Sequence, residues 1–127
     1  MTHKSRLCGF IIDCEGGRLD ESAAFWSAAL GMPTVASSRP EDSGYRLLDA
    51  RNRDLDIEVQ RVSHSSGVHL DIETDDVEAE VCRLESLGAI RMRKVRDWWV
   101  LQAHTGQRFC VVPASRGVGG PGWSSWP

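Results

Sequence analysis

The chain has 127 residues, of which 41% are hydrophobic and 26% are charged, and its formal net charge is −3. This length suits one domain with a single hydrophobic core, and the composition is typical of a globular protein. The slightly acidic balance argues against nucleic acid or an anionic membrane as the main partner. No apolar run approaches the ~20 residues of a membrane-spanning helix, and we expect no signal peptide, which favours a cytoplasmic protein.

The first half of the chain predicts a strand, a helix and then further strands. Asp20 is a plausible N-cap for a helix that runs to Leu30, where Gly31 supplies the left-handed residue that ends it. The buried positions predicted for this helix are Phe25, Ala29 and Leu30. The strands predicted for this half cover residues 7–13, 32–35, 45–49 and 54–62.

The second half predicts the same order of elements. A strand over residues 68–73 leads into a helix that Asp75 caps, with Glu78 three residues later as in a capping box. This helix ends at Gly88. Its buried positions, at helical spacing, are predicted to be Val77, Val81, Leu84 and Leu87. The three strands that follow are predicted over residues 90–94, 98–102 and 108–112.

The two halves therefore look like copies of one supersecondary unit, and neither could bury its sheet face alone. We predict an α+β fold in which two βαβββ modules form a cupped eight-stranded mixed sheet with helices on the outside. The predicted domain covers residues 1–113, with module one at about 7–62 and module two at about 67–113. The Gly-, Pro- and Ser-rich tail over residues 114–127 is expected to be flexible.

The cysteines are scattered over separate elements and form no C-x-x-C pair. This spacing favours reduced thiols over a disulfide framework or a structural zinc site. The four cysteines are Cys8, Cys14, Cys82 and Cys110.

Strand alternation separates an apolar sheet face from a polar one. The apolar set, expected to pack on the helices, comprises Phe10, Ile12, Cys14, Leu55, Ile57, Val59, Val68, Leu70, Ile72, Phe109 and Val111. The opposite face carries Asp13, Glu58, Gln60, His69, Asp71, Glu73 and Cys110. Two explanations of the polar face stay open: it lines a ligand cavity if the sheet curls, or it is the solvent face of an antiparallel sheet.

Two adjacent tryptophans, Trp98 and Trp99, lie on one predicted strand, so their side chains must point to opposite faces. A tryptophan beside carboxylates could hold a flat or cationic ligand by stacking and cation–π attraction. Alternatively, these tryptophans only fill volume.

Three segments of the chain resemble the vicinal oxygen chelate superfamily, which has the glyoxalase and bleomycin-resistance fold, and in particular its glyoxalase-like branch. The segments are Phe25-Trp26 with Leu30-Gly31, residues 68–77 and residues 105–113. The resemblance implies the two-module cupped sheet and a homodimer. It does not imply one activity, because this scaffold carries many chemistries.

The resemblance also implies a divalent-metal site with one ligand from each of four strands. By position, these ligands fall at Gly9, which has no side chain, at Glu58 or Gln60, at His69, and at Cys110, where enzymes of the family generally carry Glu. Only His69 matches fully, so we expect no metal cofactor. If a metal is bound, the candidate ligands are His69, Glu58 and Cys110.

These observations favour a metal-free protein that binds a small organic molecule in an acidic, aromatic-lined cup. The alternative is a divalent-metal-dependent lyase, isomerase or dioxygenase with a non-standard ligand set, for which His69 and Glu58 are the best catalytic candidates. A third hypothesis is a structural or regulatory dimer without a ligand. The predicted ligand-binding residues are Asp13, Glu58, Gln60, His69, Asp71, Trp98 and Cys110.

Overall fold

A computed structural model describes residues 2–36, 43–50, 55–115 and 117–127. The longest helix described has 12 residues, and no described helix is long and apolar enough to cross a membrane. The elements are β1 (His3–Glu15), α1 (Leu19–Leu30), β2 (Thr34–Val35), β3 (Tyr45–Leu48), β4 (Asp56–Val62), β5 (Gly67–Thr74), α2 (Val77–Ser86), β6 (Ile90–Val95), β7 (Trp98–Gln102), β8 (Arg108–Pro113) and β9 (Ser124–Trp126).

Both modules use the same strand order, which confirms the predicted repeat. β1 pairs in parallel with β4, and β4, β3 and β2 follow as antiparallel neighbours. β5 likewise pairs in parallel with β8, and β8, β7 and β6 follow as antiparallel neighbours. The α+β prediction with a mixed sheet is therefore confirmed. The described residues form nine strands rather than eight, because β9 from the C-terminal tail pairs with β1.

The chain divides into two compact units, whose borders fall inside β1 and β5. We call residues 9–69 the α1 unit, and the residues up to Cys8 together with residues 70–127 the α2 unit.

The core of the α1 unit lies between α1 and one face of β1, β3 and β4. Leu19, Ala23 and Trp26 follow the helical spacing that points them to the sheet. The predicted stripe was wrong, since Phe25 and Leu30 are 63% and 44% exposed. The buried core residues are Ile12, Ala23, Met32, Leu48, Ala50 and Val59, with Leu19, Trp26, Cys14 and Ile57 packed against them.

The two ends of α1 differ in how well the sequence predicted them. Asp20 is not the N-cap, because the helix begins at Leu19, with Arg18 in the cap position and no side-chain cap bond. The Asp20 carboxylate instead accepts from Arg46 at 3.0 Å. Gly31 ends the helix with a left-handed φ of 68°, as predicted.

The core of the α2 unit lies between α2 and strands β7 and β8. Its buried residues are Val81, Leu84, Leu101 and Val111, with Ile72, Val77, Ala89, Trp99 and Phe109 packed against them. Three predicted core residues are exposed: Val68 (63%), Leu70 (43%) and Leu87 (65%). The ten-residue helix packs on β6, β7 and β8.

The N-cap of α2 is Asp76, one residue later than predicted. Its side chain accepts a hydrogen bond from the backbone N–H of Ala79 at 3.0 Å. Asp75 does not cap the helix; its carboxylate accepts a hydrogen bond from the backbone N–H of Lys4 in β1 at 2.8 Å. The four cysteines are free thiols, of which Cys8 is buried and Cys82 is exposed.

A buried ionic network joins β1, α2 and β9 within the α2 unit. Glu80 is fully buried, and its Oε1 lies 2.9 Å from His3 Nε2. Arg83 donates to both carboxylate oxygens of Glu80, at 2.7 and 2.9 Å. Trp126 covers the Arg83 guanidinium at 3.8 Å and donates its indole N–H to Ser5 Oγ at 2.9 Å. Burial opposes ionisation of Glu80, but the hydrogen bonds from Arg83 and His3 outweigh it, so the pKa of Glu80 lies below its ordinary value.

Candidate functional site

The sheet face of the α1 unit that points away from α1 carries a row of polar side chains. Asp13 of β1 lies opposite Gln60 of β4, and Gln60 lies opposite Tyr45 of β3. Paired residues share a face, and their neighbours Ile12 and Val59 point to the helix-side core. The row therefore lies on the helix-free face. Tyr45 was missed by the sequence analysis, although its place opposite Gln60 in the predicted hairpin was a usable signal.

Asp13 and His69 form a hydrogen-bonded pair on this unit. His69 Nδ1 lies 2.6 Å from Asp13 Oδ2. Because an ionised carboxylate only accepts hydrogen bonds, Nδ1 carries the proton and donates a hydrogen bond to Asp13 Oδ2. The Asp13 side chain is 6% exposed, whereas that of His69 is 19% exposed. The pair is thus an enclosed carboxylate that orients a more accessible imidazole.

The second oxygen of Asp13 is not used by the protein. Among the described residues, Asp13 Oδ1 is buried and has no hydrogen-bond partner. Leaving a buried polar atom unsatisfied costs about 1–3 kcal/mol, and more when the group is charged. Nearly all buried polar atoms in folded proteins have partners, so this oxygen requires an explanation.

Glu58 lies one row away from Asp13, between Ile11 of β1 and Leu47 of β3. It also contributes to the wall of an open cavity of about 1060 Å³ that follows α1, β2 and β3. The other residues of this wall are mainly small, including Ala23, Ala24, Ser27 and Ala28 of α1. Of the predicted ligand-binding residues in this unit, Glu58 therefore lines this cavity, while Asp13 and His69 form the pair described above.

The α2 unit carries the other predicted site residues, Asp71, Trp98 and Cys110. Asp71 and Cys110 face each other across the β5–β8 ladder, and a carboxylate oxygen and the thiol lie within 4.8 Å. Trp98 is half-buried and points to the same face, because Val100, two residues on, pairs with Cys110. Trp99 points to the α2 side and packs on the core, with Arg91 over its ring at 5.0 Å.

The four-strand metal set implied by the family resemblance does not fit this chain. A Cβ placed at Gly9 would lie 2.7 Å from the backbone oxygen of Asp56, so the first ligand position has no room for any side chain. Asp71 and Cys110 offer an oxygen and a sulfur ligand. Within the α2 unit, the donor types that remain are therefore a carboxylate and a thiol, which is a shorter and softer set than the family implies.

The comparisons with known proteins agree with this fold. A family model described as a glyoxalase-like domain matches residues 9–112. No curated protein sequence matches the chain.

Several solved structures are similar in fold. Methylmalonyl-CoA epimerase from Mycobacterium tuberculosis has 19% sequence identity and a TM-score of 0.59, with 87% of this chain and 89% of that chain covered. A hypothetical protein from Bacillus halodurans has 12% identity and a TM-score of 0.61, with 91% and 99% covered. A variant of the Streptomyces coelicolor epimerase, in complex with 2-nitronate-propionyl-CoA, has 17% identity and a TM-score of 0.58, with 87% and 94% covered.

Proposed function

We propose that this chain, which belongs to the glyoxalase-like domain family, binds a small organic molecule on the helix-free sheet face that carries Asp13 and His69. Glu58, Gln60 and Tyr45 extend this face on the neighbouring strands. Asp71, Trp98 and Cys110 lie in the α2 unit and are separate candidates for ligand contact. The ligand set expected of a metal enzyme is incomplete, so binding in this proposal does not depend on a metal.

The observation that carries the proposal is the hydrogen bond between His69 and the enclosed Asp13. A carboxylate behind a histidine fixes the ring orientation and the tautomer, which prepares the ring for contact with a ligand. Solvent-exposed sheet faces of purely structural origin have no need for a carboxylate that is 6% exposed. The pair therefore favours a binding face over a plain solvent face.

A thermal-shift screen tests this function, because a ligand that binds only the native state must raise the melting temperature. The screen should contain aromatic, cationic and dicarbonyl compounds, together with methylmalonyl-CoA, which one structurally similar epimerase binds. We expect at least one compound to stabilise the wild-type protein and to lose its effect in His69→Ala.

The matched control for this screen is His64→Ala. His64 lies in the same unit, is exposed, and has its ring next to the backbone of Ser65. A hit that survives His69→Ala, or is lost equally in His64→Ala, would contradict binding at the proposed face. A screen without any hit would favour a structural or regulatory role.

A second candidate function is a metal-dependent lyase, isomerase or dioxygenase. The observation in its favour is the proximity of the Asp71 carboxylate to the Cys110 thiol within the α2 unit. A divalent ion held there would act as a Lewis acid toward oxygens of the substrate.

Metal analysis separates the two candidates. The protein should be stripped with a chelator, reconstituted separately with Zn²⁺, Ni²⁺ and Co²⁺, dialysed, and measured for bound metal. If ligand binding needs no metal, the wild-type protein and Cys110→Ala should both retain the same amount of metal, well below one equivalent per chain. One equivalent of bound metal that is lost in Cys110→Ala but kept in Cys82→Ala would favour the metal-dependent enzyme.

We also propose that the protein is a cytoplasmic homodimer. This assembly follows from the family resemblance and would bring together two copies of the binding face. Light scattering coupled to gel filtration tests it, and a monomer mass at micromolar concentration would contradict it.

A further inference from the structure

We infer that Asp13 Oδ1 is the acceptor for a protonated amine of the ligand. This inference rests on the proposed function and narrows it, because it assigns a chemical class to the ligand and a subsite to one atom. Asp13 uses its two oxygens differently: Oδ2 accepts from His69, and Oδ1 accepts from the ligand.

The first argument is the unsatisfied oxygen itself. Asp13 is 6% exposed, and its Oδ1 has no hydrogen-bond partner among the described residues. A sequence under no functional constraint could remove this cost with Asn or an apolar residue. A ligand that donates a hydrogen bond to Oδ1 satisfies this atom when it binds. Because binding removes the free-energy cost of the unsatisfied oxygen, that cost favours the bound state.

The second argument is the charge of the surrounding face. Strand alternation places four carboxylates on the helix-free face of the α1 unit. The alternating positions, read along β1 and β4, are Asp13, Glu15, Asp56 and Glu58. The described residues 9–15, β3 and β4 place no lysine or arginine there, because Arg46 and Arg61 pair with Val59 and Cys14 on the other face. On the described strands, acidic side chains therefore outnumber basic ones on this face, which favours a cation over a carboxylate.

The third argument concerns the donor. Hydrogen bonds between an ionised donor and a carboxylate are roughly twice as strong as neutral ones. A protonated amine combines the donor that Oδ1 lacks with the charge that the face favours. A hydroxyl supplies only the donor, and a quaternary ammonium supplies only the charge.

Four probes with one carbon skeleton separate these contributions: benzylamine, benzyl alcohol, benzyltrimethylammonium and benzoate. Their dissociation constants should be measured by calorimetric titration at pH 7.5, with thermal shift as a second readout. We expect benzylamine to bind about tenfold or more tightly than either benzyl alcohol or benzyltrimethylammonium. We expect benzoate to bind most weakly. This comparison uses only the wild-type protein, so it does not depend on how well a variant folds.

The variant that tests the atom is Asp13→Asn, which keeps an acceptor for His69 Nδ1–H and removes the charge. Its matched control is Glu21→Gln, the same change on α1 of the same unit, where the side chain is 72% exposed and lies off the helix-free face. The preference for benzylamine over benzyl alcohol should disappear in Asp13→Asn and persist in Glu21→Gln.

The outcomes distinguish this inference from the proposed function. Equal binding of benzylamine and benzyltrimethylammonium by the wild type would overturn the hydrogen bond to Oδ1. An amine preference that survives Asp13→Asn would overturn the assignment to Asp13. In both cases a ligand still binds, so the proposed function stands. If neither these probes nor the broader screen produce binding, the proposed function fails and this inference fails with it.

Discussion

Within the part of the chain that the structure describes, two pairs of a histidine and a carboxylate differ in how completely the carboxylate is satisfied. In the α2 unit, both oxygens of Glu80 have protein partners, supplied by His3 and Arg83. In the α1 unit, Asp13 bonds to His69 through one oxygen, and the other oxygen has no partner among the described residues. The first pair is complete within the protein, and the second leaves one position open.

This difference separates a structural charge from a candidate functional one. A buried charge stabilises a fold only when its attraction and its hydrogen bonds offset the cost of removing it from water. Glu80 meets that condition, because Arg83 donates to it twice and Trp126 covers the arginine. Asp13 meets it only in part. Functional sites commonly retain such a cost because the ligand removes it.

The largest expected effect is the loss of stability on Glu80→Gln. The substitution removes the charge between His3 and Arg83 and turns an amide toward the guanidinium, so the free energy of unfolding should fall by about 3 kcal/mol. Urea denaturation monitored by circular dichroism measures it. The control is Glu78→Gln on the exposed side of α2, where the carboxylate is 65% exposed and the loss should stay below about 1 kcal/mol. Equal losses would contradict a special role for the Glu80 pair.

A smaller loss is expected for Trp126→Ala in β9. This change removes the ring over Arg83 and the indole hydrogen bond to Ser5, which together contribute about 2 kcal/mol. Trp123→Ala is the comparison, because its ring lies 4.7 Å from the Arg6 guanidinium, against 3.8 Å for the ring of Trp126 over Arg83. Denaturation midpoints of the two variants measure the difference. A wild-type midpoint for Trp126→Ala would show that β9 does not stabilise the Glu80 network.

Asp13→Asn should change stability by less than about 1 kcal/mol, in either direction. The amide oxygen can still accept from His69, and the buried charge with its unpartnered oxygen is removed. The same carboxylate-to-amide change is thus expected to be costly at Glu80 and nearly neutral at Asp13. A loss at Asp13 as large as that at Glu80 would indicate that Asp13 is a structural charge.

The smallest expected effect is an acid-sensitive contribution from Glu80. Its pKa in the folded protein lies below the ordinary value of 4.5, so its stabilising contribution is fully present above pH 4.5. The contribution is lost as the pH falls through the lowered pKa, because the carboxyl group then takes up a proton in both states. Melting temperatures between pH 6 and pH 3 should therefore fall more steeply for the wild type than for Glu80→Gln. Parallel slopes would contradict the lowered pKa.

Element order was predictable from sequence because it follows from local patterns. Each half has alternating apolar strands and a helix followed by a glycine, Gly31 in the first half and Gly88 in the second. The structure contains these elements in this order. Helix details were predicted less well. Asp20 was two residues and Asp75 one residue away from the true cap positions, since several adjacent polar residues could fill the same position locally.

The exposure of individual apolar residues could not be predicted from the sequence either. Val68 and Leu70 alternate like buried strand residues, yet they are exposed. Phe25 and Trp26 are adjacent aromatics, and only the packing decides that Trp26 contacts the core. Periodicity gives the faces of an element, but the length and position of its neighbour decide how much of a face is covered.

The sequence by itself determined the repeat, the α+β class, and the set of polar residues that share a strand face, because these follow from residue type and spacing along the chain. Only the tertiary structure decided which of these residues meet. Asp13 and His69 are 56 positions apart, and their bond depends on the arrangement of the strands in space. The same is true of His3 and Glu80, 77 positions apart. Whether a carboxylate is satisfied or left open depends on neighbours distant in sequence, and this is the property on which the proposed binding site rests.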